Sequence, residues 1–505
     1  MLKFLRKYHK WLSIIISFFV ILFVISGIIL NHRQTFSFLD ISRNLLPKNY
    51  RYENWNNASV KSTLKLSNDS ILIYGNIGIW LTDSTFSKFT DFNKGFRNGI
   101  DNTKICAMTL TSKNRVLAGT FFGLFEYNHN KQKWIKIELP SKESRIVDLL
   151  NIHDTTYVMT RSFLFRTTDL VKFEKVNIPP PVNYDNKIGL FKTFWVIHSG
   201  EIYGLAGKLI VDAAGLIFAF LTITGIILFI NKYLIKKKDL VEEKKKKIVK
   251  SSRWHLKWHN KIGWITVALL IINTFTGMFL RPPFLITIAN SRVDKIPFTE
   301  LATPNPYFDI LRQISYDEGN NVFLLATMDG IFYSDDNFQT PLKSFANQPP
   351  ISVMGINVFK KITTNLYLVG SFEGLYLWNY ATGEVYDYIR NEVAVNKTNN
   401  GRPIGEFMIA GFTDDFLNQE IAFEYNQGAG NLTSDIPFPE MPEEILEKSP
   451  MSMWNFALEV HTGRIFEPLI GDFYILVVPI VGIFVLFILI SGFIVWYVQF
   501  RKKKS

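Results

Sequence analysis

Eight histidines occur among the 505 residues, and four of them stand at equivalent positions of an internal duplication. His9 lies in YHKWLSIIISFFVILFVISGIIL and His259 in WHNKIGWITVALLIINTFTGMFL. Each heads an apolar run that closes on Ser26-Gly27 or Thr276-Gly277, and the two copies are 250 residues apart (259 − 9 and 277 − 27). His198 opens HSGEIY and His461 opens HTGRIF, and each leads into a further apolar run that closes on Thr224-Gly225 or Ser491-Gly492. Metal-binding side chains beside apolar spans are costly to hold and are functional candidates by default. A twofold bundle places equivalent residues at one depth on opposite sides of its axis, so His9 should face His259 and His198 should face His461. Two neutral imidazoles facing each other are the axial set of a six-coordinate b-type haem. All four are therefore candidate cofactor ligands, with haem iron as the expected metal. Gly27, Gly225, Gly277 and Gly492 would let helices or a flat macrocycle approach closely. The competing reading is that these histidines and glycines anchor and pack helix ends without a cofactor.

The other polar residues near the spans rank lower. His255 is four residues before His259 and shares its helix face, as a further ligand, a supporting partner or a lipid headgroup contact. His32 lies just beyond the first span, and its duplicate position is Pro282. His129 and His153 fall in β-like segments and read as surface residues. Lys208 and Asp212, four apart, are expected to form a local ion pair. No phosphate loop, paired catalytic carboxylates, Ser–His–Asp order or cysteine-based metal site is visible, so the catalytic residues are not legible. GEIYGLAG is glycine-rich but runs into an apolar span.

Four segments must position these groups. The runs at about 11–30, 208–230, 262–281 and 473–498 are long enough, at about 1.5 Å per residue, to cross a hydrocarbon core of roughly 30 Å. The net charge of +12 does not point to nucleic acid, because lysine and arginine cluster in MLKFLRKYHK, in the stretch between the second and third runs, and in RKKKS. By the positive-inside rule all three clusters are cytoplasmic, so both termini lie inside and two long segments lie outside. The resulting expected division is 1–31, cytoplasmic start and span 1; 32–195, first half of an outer β domain; and 196–232, interfacial approach and span 2. It continues with 233–257, a basic cytoplasmic loop; 258–281, span 3; 282–455, second half of the β domain; 456–500, approach and span 4; and 501–505, a basic tail. The single cysteine, Cys106, excludes an intrachain disulfide.

The β halves repeat as well. VLAGTFFGLFEYN (Val116 to Asn128) matches LYLVGSFEGLYLWN (Leu366 to Asn379), and ILIYGNIGIWLTD (Ile71 to Asp83) matches VFLLATMDGIFYSDD (Val322 to Asp336). Within a half the units are 45 (123 − 78) and 44 (374 − 330) residues apart, a period typical of four-stranded propeller blades. TYVMTRSFLFRTTD (Thr156 to Asp169) is a weaker third copy. The fold expected is a four-span helical membrane bundle, duplicated from a two-span unit, with a β-rich domain of propeller-blade-like repeats. Its two halves either close one ring or form two separate β domains. The stretch 400–450 fits no repeat.

The four segments YHKWLSI…SGIIL, IHSGEIYG…TGIILF, WHNKIGW…TGMFL and VHTGRIF…SGFIVW resemble the PepSY-associated transmembrane proteins, often called iron-regulated membrane proteins. The resemblance covers the membrane half of the chain. Some members of that group are bacterial inner-membrane reductases that carry two b-type haems and reduce ferric siderophores on the outer face. It implies haem ligation at His9, His198, His259 and His461, with quinol or a cytoplasmic reductase as electron donor, a ferric chelate as substrate, and lipid as the surroundings. The outer segments depart from the family pattern, showing no PepSY α/β module beyond a faint likeness in YATGEVYDY (Tyr380 to Tyr388). The alternative is a non-enzymatic membrane protein whose β domain binds a peptide, an envelope component or a partner protein. One geometric difficulty stands: on a straight helix His198 would lie about ten residues, roughly 15 Å, beyond the membrane face. Bends at Gly200, Gly204 and Gly207, and at Gly463 and Gly471, would bring it back.

Overall fold

The computed structural model describes residues 1–182, 184–237, 241–352, 354–394 and 405–501. The chain forms two compact units, one from Met1–Phe36, Asp185–Thr303 and Met453–Ser505, the other from Ser37–Tyr184 and Pro304–Ser452.

The first unit is helical. Four helices are long and apolar enough to cross a membrane, and the helical cores of those spans are α1 (Leu2–Asn31), α3 (Gly204–Leu234), α4 (Glu242–Met278) and α6 (Val477–Trp496). Two shorter helices, α2 (Leu190–Ser199) and α5 (Met453–His461), carry His198 and His461. The long helices close a ring in which α1 packs on α3, α3 on α4, α4 on α6 and α6 on α1. Ile16, Val20, Val481 and Val485 form the buried contact of α1 with α6. Hydroxyls inside the apolar runs donate to carbonyls of their own helix, as Ser26 does to Leu22 (2.7 Å) and Thr224 to Phe220 (2.8 Å). Such bonds lower the cost of a hydroxyl in an apolar run.

Bends are present at four of the five glycines expected to make them, whereas Gly207 lies within α3. α2 ends at Gly200 (φ 80°, ψ −3°) and α5 leads to Gly463 (φ 78°, ψ −1°), so the two copies turn at the same residue of the motif with the same backbone. A Cβ on Gly200 would strike the carbonyl oxygen of Gly207, so this elbow needs glycine for both conformation and space. Gly204 (φ 58°, ψ −138°) and Gly471 (φ 57°, ψ −147°) then redirect the chain into the next helical segment. α2 consequently packs on α4 and α5 on α1, instead of extending the spans that follow them.

The expected loop at 233–257 differs: α4 begins at Glu242, because EEKKKK pairs along a helix, as in Lys247 with Glu243 (2.8 Å). The tail from residue 502 onward lies outside the described residues. The helical unit also takes in 185–195 and 282–303, which the repeats alone assign to the β halves; Lys187–Gly189 pairs there with Arg292–Asp294.

The second unit contains sheets from both halves of the chain. Each of six antiparallel sheets starts with one of the strands β1 (Val60–Ser67), β2 (Ile105–Leu110), β3 (Ile146–Ile152), β4 (Leu311–Asp317), β5 (Ile356–Thr363) and β6 (Ile409–Phe416). Four sheets have four strands, the fifth has five and the sixth has three. The matched sequence motifs are the second and third strands of their sheets, joined by tight turns at Gly78, Gly123, Gly330 and Gly374, all with positive φ. The weak copy at Thr156–Asp169 supplies the same strands of the third sheet. In the stretch that fits no repeat, Ile409–Asn431 makes the sixth sheet, with a longer turn before Gly428 that breaks the motif. GRPI, at its start, lies outside the described residues. YATGEVYDY belongs to the fifth sheet, whose fourth strand is Glu384–Asp387. The first strands touch in the order β1–β2–β3–β4–β5–β6, and β6 touches β1. Each neighbouring pair of sheets also shares a buried apolar cluster, including the sixth with the first through Trp55, Trp80, Phe416 and Phe423.

Candidate functional site

The structure brings the four repeated histidines together as two pairs. The rings of His9 and His259 have centroids 6.4 Å apart, and those of His198 and His461 are 6.0 Å apart. These are the pairs that the duplication matches by depth.

Each imidazole is held from behind by a helix other than its own. His9 Nδ1 donates to the Ile488 carbonyl (3.0 Å) on α6 and lies 3.3 Å from Ser491 Oγ. His198 Nδ1 donates to the Asn273 carbonyl (2.9 Å) on α4, and Asn273 Nδ2 returns a bond to the His198 carbonyl (2.9 Å). His259 Nδ1 meets Thr224 Oγ1 (2.8 Å) and the Leu221 carbonyl on α3. His461 Nδ1 meets Ser26 Oγ (2.9 Å) and the Phe23 carbonyl on α1. In every case the carbonyl is three residues before the Ser or Thr of a Ser/Thr-Gly pair. Since a carbonyl can only accept, Nδ1 carries the proton and Nε2 keeps its lone pair. The adjoining glycine leaves room for the ring. A Cβ would lie 2.5 Å from His198 Cε1 at Gly277, 2.8 Å from His9 Cε1 at Gly492, 3.3 Å from His461 Cε1 at Gly27 and 3.8 Å from His259 Cε1 at Gly225. The Ser/Thr-Gly pairs are plain in the sequence, but the hydroxyls' contact with the rings and the carbonyls one turn back are not. The recurring Ser or Thr before each glycine was the available signal.

The pairs lie at opposite ends of the bundle. Gly27, against His461, is 18 residues from His9 on α1 (27 − 9), and Gly277, against His198, is 18 residues from His259 on α4 (277 − 259). At helical rise this is about 27 Å in both copies, close to a hydrocarbon thickness.

These residues fit a haem. Metal-binding histidines characteristically donate the other ring nitrogen to a carbonyl or similar acceptor, which fixes tautomer and orientation. A metal bound by two imidazole nitrogens at about 2 Å each puts their ring centroids roughly 6 Å apart. Among the described residues there is no group of three or more His, Cys, Asp and Glu able to hold a metal ion.

The lower-ranked candidates fall elsewhere. His255 Nδ1 bonds back to the Ser251 carbonyl (2.8 Å) on its own helix, and its ring packs on Trp254. His32 Nε2 pairs with Asp212 (2.5 Å), which also accepts from Asn31 Nδ2 (3.0 Å). The expected Lys208–Asp212 pair is therefore replaced: Lys208 turns to Glu201 (2.9 Å), because the chain bend at Gly200 brings that carboxylate within reach. His129 stacks edge-on against Tyr127, and His153 sits in a turn with positive φ.

In sequence, the family model described as the PepSY-associated TM region matches residues 2–232 and 190–318. No curated protein matches the chain. Among solved structures, the chain is similar to the extracellular domain of the hybrid two component system BT4673 from B. thetaiotaomicron. The TM-score is 0.37 and the identity 10%, over 75% of this chain and 33% of that one. A Bacteroides thetaiotaomicron protein of unknown function has TM-score 0.34 and 9% identity, over 75% of this chain and 68% of that one. PorZ of the type-IX secretion system of Porphyromonas gingivalis has TM-score 0.32 and 8% identity, over 72% and 37%. The chain thus spans about a third of the length of the BT4673 domain.

Proposed function

From a chain that belongs to the PepSY-associated transmembrane family, we propose a membrane electron-transfer protein that binds two b-type haems and reduces a ferric chelate. His9 and His259 hold one haem, and His198 and His461 hold the other. The observation that carries this reading is the fourfold repetition of one ligand geometry, with Nδ1 bonded to a neighbouring helix and a glycine under the ring. Anchoring at helix ends requires neither the pairing nor the shared backing.

Haem, when bound, supplies a reversible one-electron couple whose potential follows from its axial ligands and their hydrogen bonds. The chain supplies the rest. Ser491, Thr224, Ser26 and the carbonyls of Ile488, Asn273, Leu221 and Phe23 fix the imidazole tautomers. Ile16, Val20, Val481 and Val485 keep water from the space between the two ends. In this reading the chain lies in a bacterial inner membrane with both termini in the cytoplasm and the β unit on the outer side, an orientation that the basic clusters favour. The electron donor is then quinol or a cytoplasmic reductase meeting the His9–His259 end, and the ferric chelate or siderophore is reduced at the other. The six sheets serve as blades of one propeller, a reading supported by the return contact of β6 with β1.

Alanine variants test the assignment, since alanine cannot replace an axial imidazole. His259→Ala should remove one b-type component and spare the other, and His461→Ala should do the converse. Either should abolish reduction of an outer ferric chelate by a cytoplasmic donor, while His129→Ala changes neither. A colourless wild-type protein would favour helix anchoring.

A further inference from the structure

All six first strands of the β unit carry a bulge at the same place. The pairing register skips Lys61 in β1, Cys106 in β2, Val147 in β3, Arg312 in β4, Asn357 in β5 and Ala410 in β6. Bulges re-aim side chains and recur beside functional sites. Here they set six residues at one level of the ring in which β1 to β6 touch in turn. Asn357 Nδ2 ties β5 to β6 through the Ile409 carbonyl (2.9 Å), and Ser62 Oγ ties β1 to β6 through the Phe412 carbonyl (3.0 Å).

Three cations, Lys61, Arg145 and Arg312, gather at this level, and Asp148, Asp309 and Asp329 are carboxylates that act on them. Asp148, next to the bulge of β3, has both oxygens engaged by backbone donors, Leu149 N (2.9 Å) and Ile314 N (2.8 Å). Lys61 is within electrostatic reach of Asp148, Cys106 and Arg145, yet among the described residues it makes no hydrogen bond or ion pair. Arg145 also acts on Arg312, so these three cations share one region. Among the described residues Arg312 donates only to main-chain carbonyls, those of Asp309 (3.0 Å) and Leu311 (2.7 Å). The nearby Asp309 carboxylate is taken by Arg161 (2.7 Å). Burial lowers the Lys61 amine and pushes the Asp148 carboxyl up to about 6, so local anionic charge is weakened further. A half-buried ammonium without a partner is costly unless something else completes it.

We propose that the bulge level of this ring is a binding site for a small oxyanion, a carboxylate or a phosphate, received by Lys61 with Arg312 and Arg145. The site is independent of the haem reading, because every residue in it belongs to the β unit. It gives that unit a ligand class, one that a metal chelate with free carboxylates or an envelope phosphate would satisfy.

The test uses the full-length protein in detergent, titrated separately with citrate and with inorganic phosphate. Melting temperature and alkylation of Cys106, the only cysteine of the chain, are followed together. A saturable rise in melting temperature with protection of Cys106 is expected for at least one anion, and the responding anion identifies the source. Lys61→Met, which keeps the stem and removes the charge, should weaken that binding roughly tenfold to a hundredfold. Lys343→Met, which removes an exposed ion pair with Asp335 in the fourth sheet, should leave it unchanged. No response to either anion overturns the proposal, as does a response without Cys106 protection or one equally strong in Lys61→Met. The melting temperature of Lys61→Met without anion shows whether that variant is folded.

Discussion

His9 and His259 sit directly on two long helices, whereas His198 and His461 sit on helices of ten and nine residues that reach the bundle through glycine elbows. Both pairs end with nearly the same ring separation, and each Nδ1 is bonded to a neighbouring helix. The first geometry is set by continuous α-helix, whose form is insensitive to any one residue outside the contact. The second depends on two residues held at φ near +80°, where only glycine is at ease. The difference teaches that one site can be built with no backbone strain and its twin only with conformationally special residues. The two should therefore fail separately.

The largest separation is expected from the elbow itself. Gly200→Ala forces an L side chain into left-handed backbone, at about 1–2 kcal/mol, and drives its Cβ against the Gly207 carbonyl. The cofactor signal of the His198–His461 pair should fall sharply while that of His9–His259 stays, measured as separate components of a reduced-minus-oxidised spectrum. Equal loss of both would mean that the bundle responds as one body and that the elbow is not specific to its pair.

A smaller effect should follow from the glycines under the rings, graded by the space available. Gly277→Ala puts a methyl 2.5 Å from His198 Cε1, whereas Gly225→Ala leaves 3.8 Å to His259 Cε1. The first variant should lose occupancy of the His198–His461 pair and the second should bind normally in both. A reversed order would show that the rings adjust more freely than their backing bonds allow.

How much of this was legible follows from what a duplication repeats. Residue type and spacing repeat, so the four histidines, the four spans and most sheet motifs could be matched by eye. The partner helix of each histidine does not repeat in any local pattern. Ser491 is 482 residues from His9 and Thr224 is 35 residues from His259 (491 − 9 and 259 − 224), although they do the same work. The sixth sheet was hidden because its turn at Tyr425–Gln427 is longer than those of its counterparts. The helical start of α4 was hidden because a lysine run reads equally as loop and as a charged helix.

The smallest effect is expected from the hydroxyls. Thr224→Val removes one of two groups that meet His259 Nδ1 and leaves the Leu221 carbonyl in place. Affinity at that pair should drop by about tenfold, with the elbow pair unaffected, as read from haem retained after dilution. A loss as complete as that of His259→Ala would mean that the hydroxyl and not the carbonyl holds the tautomer.

The central claim is that four equivalent histidines make two haem sites in one chain. Its most direct test is the haem content of the purified full-length protein from haem-supplemented cells, counted per polypeptide together with its reduced-minus-oxidised spectrum. Two b-type haems per chain are predicted, falling to one in His259→Ala and to one in His461→Ala. A wild-type protein that folds but carries no haem, or a content unchanged by either substitution, would contradict the account.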